Sequence, residues 1–145
     1  MASSRLLALS IALTVGSNVL YHIAQKSIPR GVHPLLSVAV TYAVALVVTL
    51  LLWPVAPGGS PRLSDLSRLN WATIGVAIAV VGVEVGFLLA YRAGWDVSVG
   101  SLAVSAAVAV LLVPVGLTMF REQMSAVNAA GIVFSVIGLV LMMLR

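Results

Sequence analysis

The chain has 145 residues, 61% of them hydrophobic and 8% charged, against about 25% charged residues in a soluble domain, and its mean hydropathy is +1.16. That balance excludes a water-soluble globular domain and predicts an integral membrane protein. The net charge of +4 comes from basic residues standing singly between apolar runs, and cysteine is absent. The basic residues therefore read as membrane-flanking anchors and not as a nucleic-acid footprint, and disulfides, thiolate metal sites and cysteine nucleophiles are excluded.

A membrane-spanning helix needs about 20 mostly apolar residues. The first such stretch is predicted over 6–25 and is closed by QKSIPRG. It opens as a secretory leader would, yet the apolar run continues through VLYHIA, so it is expected to remain as a span. Thr14, Ser17, Asn18, Tyr21, His22 and Gln25 recur at three- and four-residue spacing along one stripe. Unsatisfied polar groups cost several kcal/mol in hydrocarbon, so the stripe is expected to face other helices or a wet cavity. Asn18, Tyr21 and His22 are candidate substrate contacts.

The second span is predicted over 33–54, ending at WPVAPGGSP. A loop follows over 56–70, where Leu63, Leu66 and Leu69 suit a short amphipathic turn on the bilayer surface. In the third span, 71–92, Gly75, Ala79, Gly82, Gly86 and Ala90 form one small-residue stripe, with Gly82 and Gly86 spaced as GxxxG. At 100° per residue Glu84 lies about 160° from Gly82, on a face shared with Phe87, Leu88 and Tyr91. The helix is thus expected to pack through its glycines and to offer a carboxyl and a phenol on the other side. Ionisable residues inside a membrane are expensive and mark functional sites, so Glu84 is the leading candidate for proton or substrate binding, with Tyr91 as partner.

The fourth span, 97–120, places Ser98, Ser101 and Ser105 on a common face, and Pro114 removes the helical donor of the Val110 carbonyl and marks a hinge. Ser101 and Ser105 join the candidate binding residues. The fifth span, 125–144, carries Gly131, Ser135 and Gly138 as a candidate packing surface. Two isolated histidines do not make a metal cage, and neither a phosphate-binding loop nor HExxH nor a carboxylate pair within one span is present. No enzymatic activity, cofactor or metal is expected. The fold class expected is all-α, a compact bundle of five transmembrane helices in a single domain over 1–145.

FREQMSAVNAAGIVFSVIGLVLMM resembles the closing signature of the EamA domain of the drug/metabolite transporter superfamily, a Gly-Glu-Arg-Leu-Thr turn followed by glutamine and two glycines. Glu122 matches the family glutamate, Met124 and Ser125 the Leu-Thr pair, Asn128 the glutamine, and Gly131 and Gly138 the glycines; Arg121 and Gln123 depart from the pattern. GSNVLYHIAQK and LLAYRAGWDVSVGSLAVSAAVAVLLVPV are similar to the family's first helix and to its third-to-fourth segment. The resemblance implies one half of an inverted-repeat transporter fold, a multi-pass protein of a bacterial-type plasma (inner) membrane that moves small metabolites or drugs by alternating access. It also implies a central cavity lined by the first, third and fourth helices. Proton coupling through Glu84 is an analogy with the superfamily's smaller members, which use a membrane glutamate in their first helix. Two other classes compete: a flippase or flippase subunit for an amphiphilic or lipid-linked substrate, with a cavity open sideways to lipid, and a non-transporting accessory protein, with no cavity.

Five spans put the termini on opposite sides. Arg5, Arg62, Arg68 and Arg121 on one side then balance Lys26, Arg30, Arg92 and Arg145 on the other, which leaves the positive-inside rule nothing to discriminate. Dual topology and an antiparallel homodimer in the lipid bilayer are expected, with a small molecule and protons as further partners and no nucleic acid.

Overall fold

The computed structural model describes residues 2–55 and 62–144. Among them every regular element is helical: α1 (Ala2–Ser27), α2 (Pro34–Leu52), α3 (Trp71–Arg92), α4 (Val97–Thr118) and α5 (Ala126–Met143), with short 3₁₀ helices at Trp53–Val55 and Leu63–Arg68. Four stretches, Ser4–Ser27, Pro34–Val55, Trp71–Arg92 and Val97–Thr118, are long and apolar enough to cross a membrane. The fifth apolar stretch, Ala126–Leu141, is shorter. The large apolar side chains along all of them are mostly exposed, as a lipid solvent requires and as water would forbid.

The boundaries follow local chemistry. α1 begins at Ala2, earlier than predicted, because nothing in ASSRLLAL breaks a helix. Pro34 opens α2 at its first turn, where a missing N–H costs nothing, and Pro54 falls in the 3₁₀ turn that closes it. The Asn70 side chain accepts from the Ala72 amide at 2.9 Å at the start of α3. Gly94, at φ 103, supplies the left-handed residue after α3. α4 stops at Thr118, two residues short of the predicted end, and Ser125 caps α5 by accepting from the Asn128 amide at 3.1 Å. Of the predicted 56–70 loop, 56–61 lie outside the described residues, as does Arg145; Leu66 and Leu69 are exposed on the 3₁₀ stretch, and the Leu63 side chain is also outside the description. Pro114 lies inside a continuous α4.

The chain divides into two units, Met1–Ile23 with Ala93–Arg145, and Ala24–Arg92. In the first, α4 packs on α5. In the second, α2 packs on α3, and Val38, Leu88 and Tyr91 form its small apolar core. The Arg92 guanidinium at the end of α3 reaches back to the connection between α1 and α2 and donates to the carbonyls of Val32 at 2.6 Å and Pro29 at 3.4 Å. The Pro29 carbonyl also accepts from the Val32 amide at 3.2 Å, so the guanidinium reinforces a turn that is already closed, and a charged donor of this kind stabilises by about 1.5–3 kcal/mol. Arg92→Met is therefore expected to speed amide hydrogen exchange over 28–33 while leaving the protection of α3 unchanged; equal exchange in both proteins would show that the loop holds its shape without Arg92.

Two sequence expectations concern helix faces. Thr14, Ser17 and Asn18 are exposed, and only His22 and Gln25 of the α1 stripe are buried, with Tyr21 half-buried. The hydroxyl of Thr14 donates to the Ser10 carbonyl at 2.9 Å, and that of Ser10 to the Leu7 carbonyl at 2.8 Å, so a hydroxyl can face lipid by bonding to its own helix. On α3 the buried residues are Glu84, Leu88 and Tyr91, whereas Gly82 and Gly86 are exposed and would meet nothing within 4 Å if a Cβ were added. The unit turns its carboxyl inward, where a carboxyl in hydrocarbon needs a donor, and leaves its glycine face open to approach by another helix.

Candidate functional site

Glu84 stands in the second unit, eight residues or about 12 Å of helix from the end of α3. It is 8% exposed, and Gln25, at the end of α1, is 4% exposed. The Gln25 Nε2 donates to the Glu84 carboxyl oxygen Oε2, and lies 3.4 Å from the main-chain carbonyl of the same residue. One amide thus binds both the side chain and the backbone of Glu84. Among the described residues the ion pair present is the exposed Arg68–Asp65 at 3.7 Å, so no cation neutralises Glu84. A carboxylate at this position would have left water with one amide in compensation, which makes a mobile proton or a cationic ligand the natural means of neutralising it.

Two phenols complete the surroundings. Tyr91, two turns beyond Glu84 on α3, is 3% exposed; its ring stacks on Phe87 with centroids 5.8 Å apart, and the Lys26 ammonium lies 5.5 Å from its centroid. An ammonium at that distance over a tyrosine gains a cation–π attraction of about 0.5–1 kcal/mol where it is solvated. Tyr42, from the middle of α2, lies within electrostatic range of Glu84, and its hydroxyl is buried with no hydrogen-bond partner among the described residues. A hydroxyl left unsatisfied in hydrocarbon costs several kcal/mol. Tyr42→Phe is accordingly expected to leave the unliganded protein as stable or slightly more so. A clear loss of stability would mean that the hydroxyl already has a partner.

Of the residues predicted from sequence, the second unit buries both Glu84 and Tyr91, two turns apart on α3, and sets Gln25 and Tyr42 beside Glu84. Gln25 belonged to the predicted polar stripe but not to the predicted site. Tyr42 carried no sequence signal, being a lone phenol within TYAVALVV. Apart from Gly82 and Gly86, the other candidates belong to the first unit. There the Tyr21 and His22 rings meet edge-on with centroids 5.0 Å apart, His22 is buried and Asn18 is exposed. Ser101 is half-buried, with its hydroxyl donating to the Ser98 carbonyl at 3.2 Å, and Ser105 is exposed. Gly131 and Gly138 would meet nothing within 4 Å, and the Ser135 hydroxyl donates to the Gly131 carbonyl at 2.9 Å. Among the described residues no group of His, Asp and Glu is placed to hold a metal ion. No protein-family model, curated protein or solved structure matches the chain.

Proposed function

We propose that this protein is a small-molecule membrane transporter, one EamA-like half-size unit of the drug/metabolite transporter type, which exports a metabolite or drug by alternating access and exchanges a proton at Glu84. The observation that carries the reading is the Gln25–Glu84 contact: a carboxyl in the middle of a spanning helix, held by an amide from another helix and paired with no cation. A purely structural polar contact is served equally well by two neutral side chains; an acid adds the capacity to take up and release a proton. Tyr42 and Tyr91 supply a hydroxyl and an aromatic face close by for a bound solute.

Two features support assembly as an antiparallel homodimer that makes up the full inverted-repeat fold. The Asn18 carboxamide is exposed inside a span, a costly position in lipid that a second chain relieves. The open Gly82–Gly86 and Gly131–Gly138 faces permit close helix approach. Reporter fusions at the C-terminus are expected to give mixed orientation, shifted one way by adding arginines to the 28–33 loop and the other way by adding them around 62–68. A single orientation that is insensitive to these charges excludes dual topology and leaves an inverted partner encoded elsewhere. For transport itself, purified protein in liposomes under a pH gradient is screened against amines, zwitterionic metabolites and amphiphilic solutes, with internal pH as the readout. Proton movement on addition of one solute class supports the reading. Solute uptake without proton movement removes the coupling, and no uptake of any class favours an accessory role.

A further inference from the structure

A second polar feature lies wholly within the first unit. The C-terminal half of α4, the turn that follows and the start of α5 form an open cavity of about 230 Å³, at which Glu122, Gln123 and Asn128 are exposed. Leu112, Val113 and Ile132 contribute apolar walls, and Glu122, Gln123 and Asn128 the polar ones.

The position of Glu122 is built by the backbone. Arg121 takes a left-handed conformation at φ 53, and the Glu122 amide donates to the Gly116 carbonyl at 3.0 Å, which folds the turn back over α4. Gly116 is buried, and a Cβ there would lie 2.5 Å from Glu122 Oε2 and 3.2 Å from its Cδ. The carboxylate thus occupies the space that any other residue at 116 would fill. Among the described residues it has no ion-pair partner. The cavity carries one formal negative charge, two carboxamides able to donate or accept, and hydrocarbon elsewhere.

We propose that this cavity binds an ammonium group carrying a short apolar stem. The carboxylate takes the charge and one N–H, the carboxamide oxygens of Gln123 and Asn128 take the others, and the α4 and α5 side chains cover the stem. Pockets for drug-sized ligands measure about 300–1,000 Å³, so this smaller one fits a head group or a small amine. It sits at the end of the α4 span, beside the exposed Met119 and Phe120. The amine of a phospholipid head group and a free alkylamine from the water both reach such a position.

Thermal unfolding of the full-length protein in amine-free detergent, titrated with butylammonium chloride and with butanol and sodium chloride as controls, tests the proposal. Butylammonium is expected to raise the melting temperature saturably and the controls are not. Glu122→Gln, compared with its parent in a Glu84→Gln background so that an amine held at Glu84 does not contribute, should weaken the apparent affinity by about tenfold or more, the equivalent of 1.4 kcal/mol, which separates this cavity from the transport site. Should Glu122→Gln fail to fold by circular dichroism, Gly116→Ala serves instead: its methyl displaces the carboxylate and should cause the same loss. In nanodiscs, retention of phosphatidylethanolamine over phosphatidylcholine by the wild type and not by the variants identifies a lipid head group, whereas butylammonium binding without lipid selectivity identifies a free amine. Equal binding with and without the Glu122 substitution, an equal shift with butanol, or no saturable response to either amine source overturns the proposal.

Discussion

Glu84→Gln is expected to abolish pH-dependent ligand binding and proton-linked uptake while leaving a folded protein. The substitution keeps length and shape, and the Gln25 Nε2 that now donates to Oε2 finds a carboxamide oxygen in the same place. Only the ability to gain and lose a proton disappears. Stability should therefore change by less than about 1 kcal/mol, because one interhelical hydrogen bond replaces another of similar strength. Uptake driven by a pH gradient should fall to the level of empty liposomes, and a ligand that binds the wild type with a pH-dependent affinity should bind the variant with a flat profile. Normal proton-linked transport by Glu84→Gln would make Glu84 a structural residue and end the coupling model. Glu84→Asp provides the complement: it keeps the acid and withdraws it by one methylene from Gln25, so it should retain proton linkage at reduced rate.

The second large effect concerns stability. Gln25→Leu leaves the Glu84 carboxyl and its main-chain carbonyl without the amide that binds both. Interhelical hydrogen bonds in membranes are worth about 0.6 kcal/mol on average and up to about 1.7. This one belongs at the upper end, since Gln25 is almost fully buried and its partner is an acid. A loss of about 1.5 kcal/mol in reversible detergent unfolding is expected. In a double-mutant cycle, adding Glu84→Leu should recover much of the loss, because the apolar pair removes the orphaned acid together with its donor. Additive losses would show that the two side chains act independently.

The span limits were largely legible in the sequence because lipid imposes a length and Pro, Gly and Asn impose the ends; α3 runs over the predicted 71–92 without change. Glu84 was legible as a charge with no hydrophobic rationale. What the sequence did not reveal was which face of α3 turns inward. Glycine spacing and a buried acid both indicate contact, and a helical wheel cannot rank them; the cost of an unpaired carboxyl ranks them in the folded unit. Gln25 was visible as part of a stripe, but its role depends on α1 extending to Ser27, beyond its predicted end. Tyr42 was invisible for another reason. A single tyrosine in a spanning helix is ordinary, and only the neighbours that the fold supplies give its hydroxyl a meaning.

The Gln25–Glu84 contact also has a bearing on biosynthesis. A charged side chain at the centre of a helix adds about 2.5–3.5 kcal/mol to the cost of leaving the translocon for lipid, and α3 must meet any such cost when it emerges. Gln25 precedes Glu84 by 59 residues in the chain, so its helix has been synthesised before α3 arrives, and the donor can be waiting in the bilayer. An order of synthesis with α3 first would expose the acid to lipid before its partner existed. A circular permutant that begins at α3 should therefore insert less efficiently than the natural order, and Glu84→Leu should remove the difference.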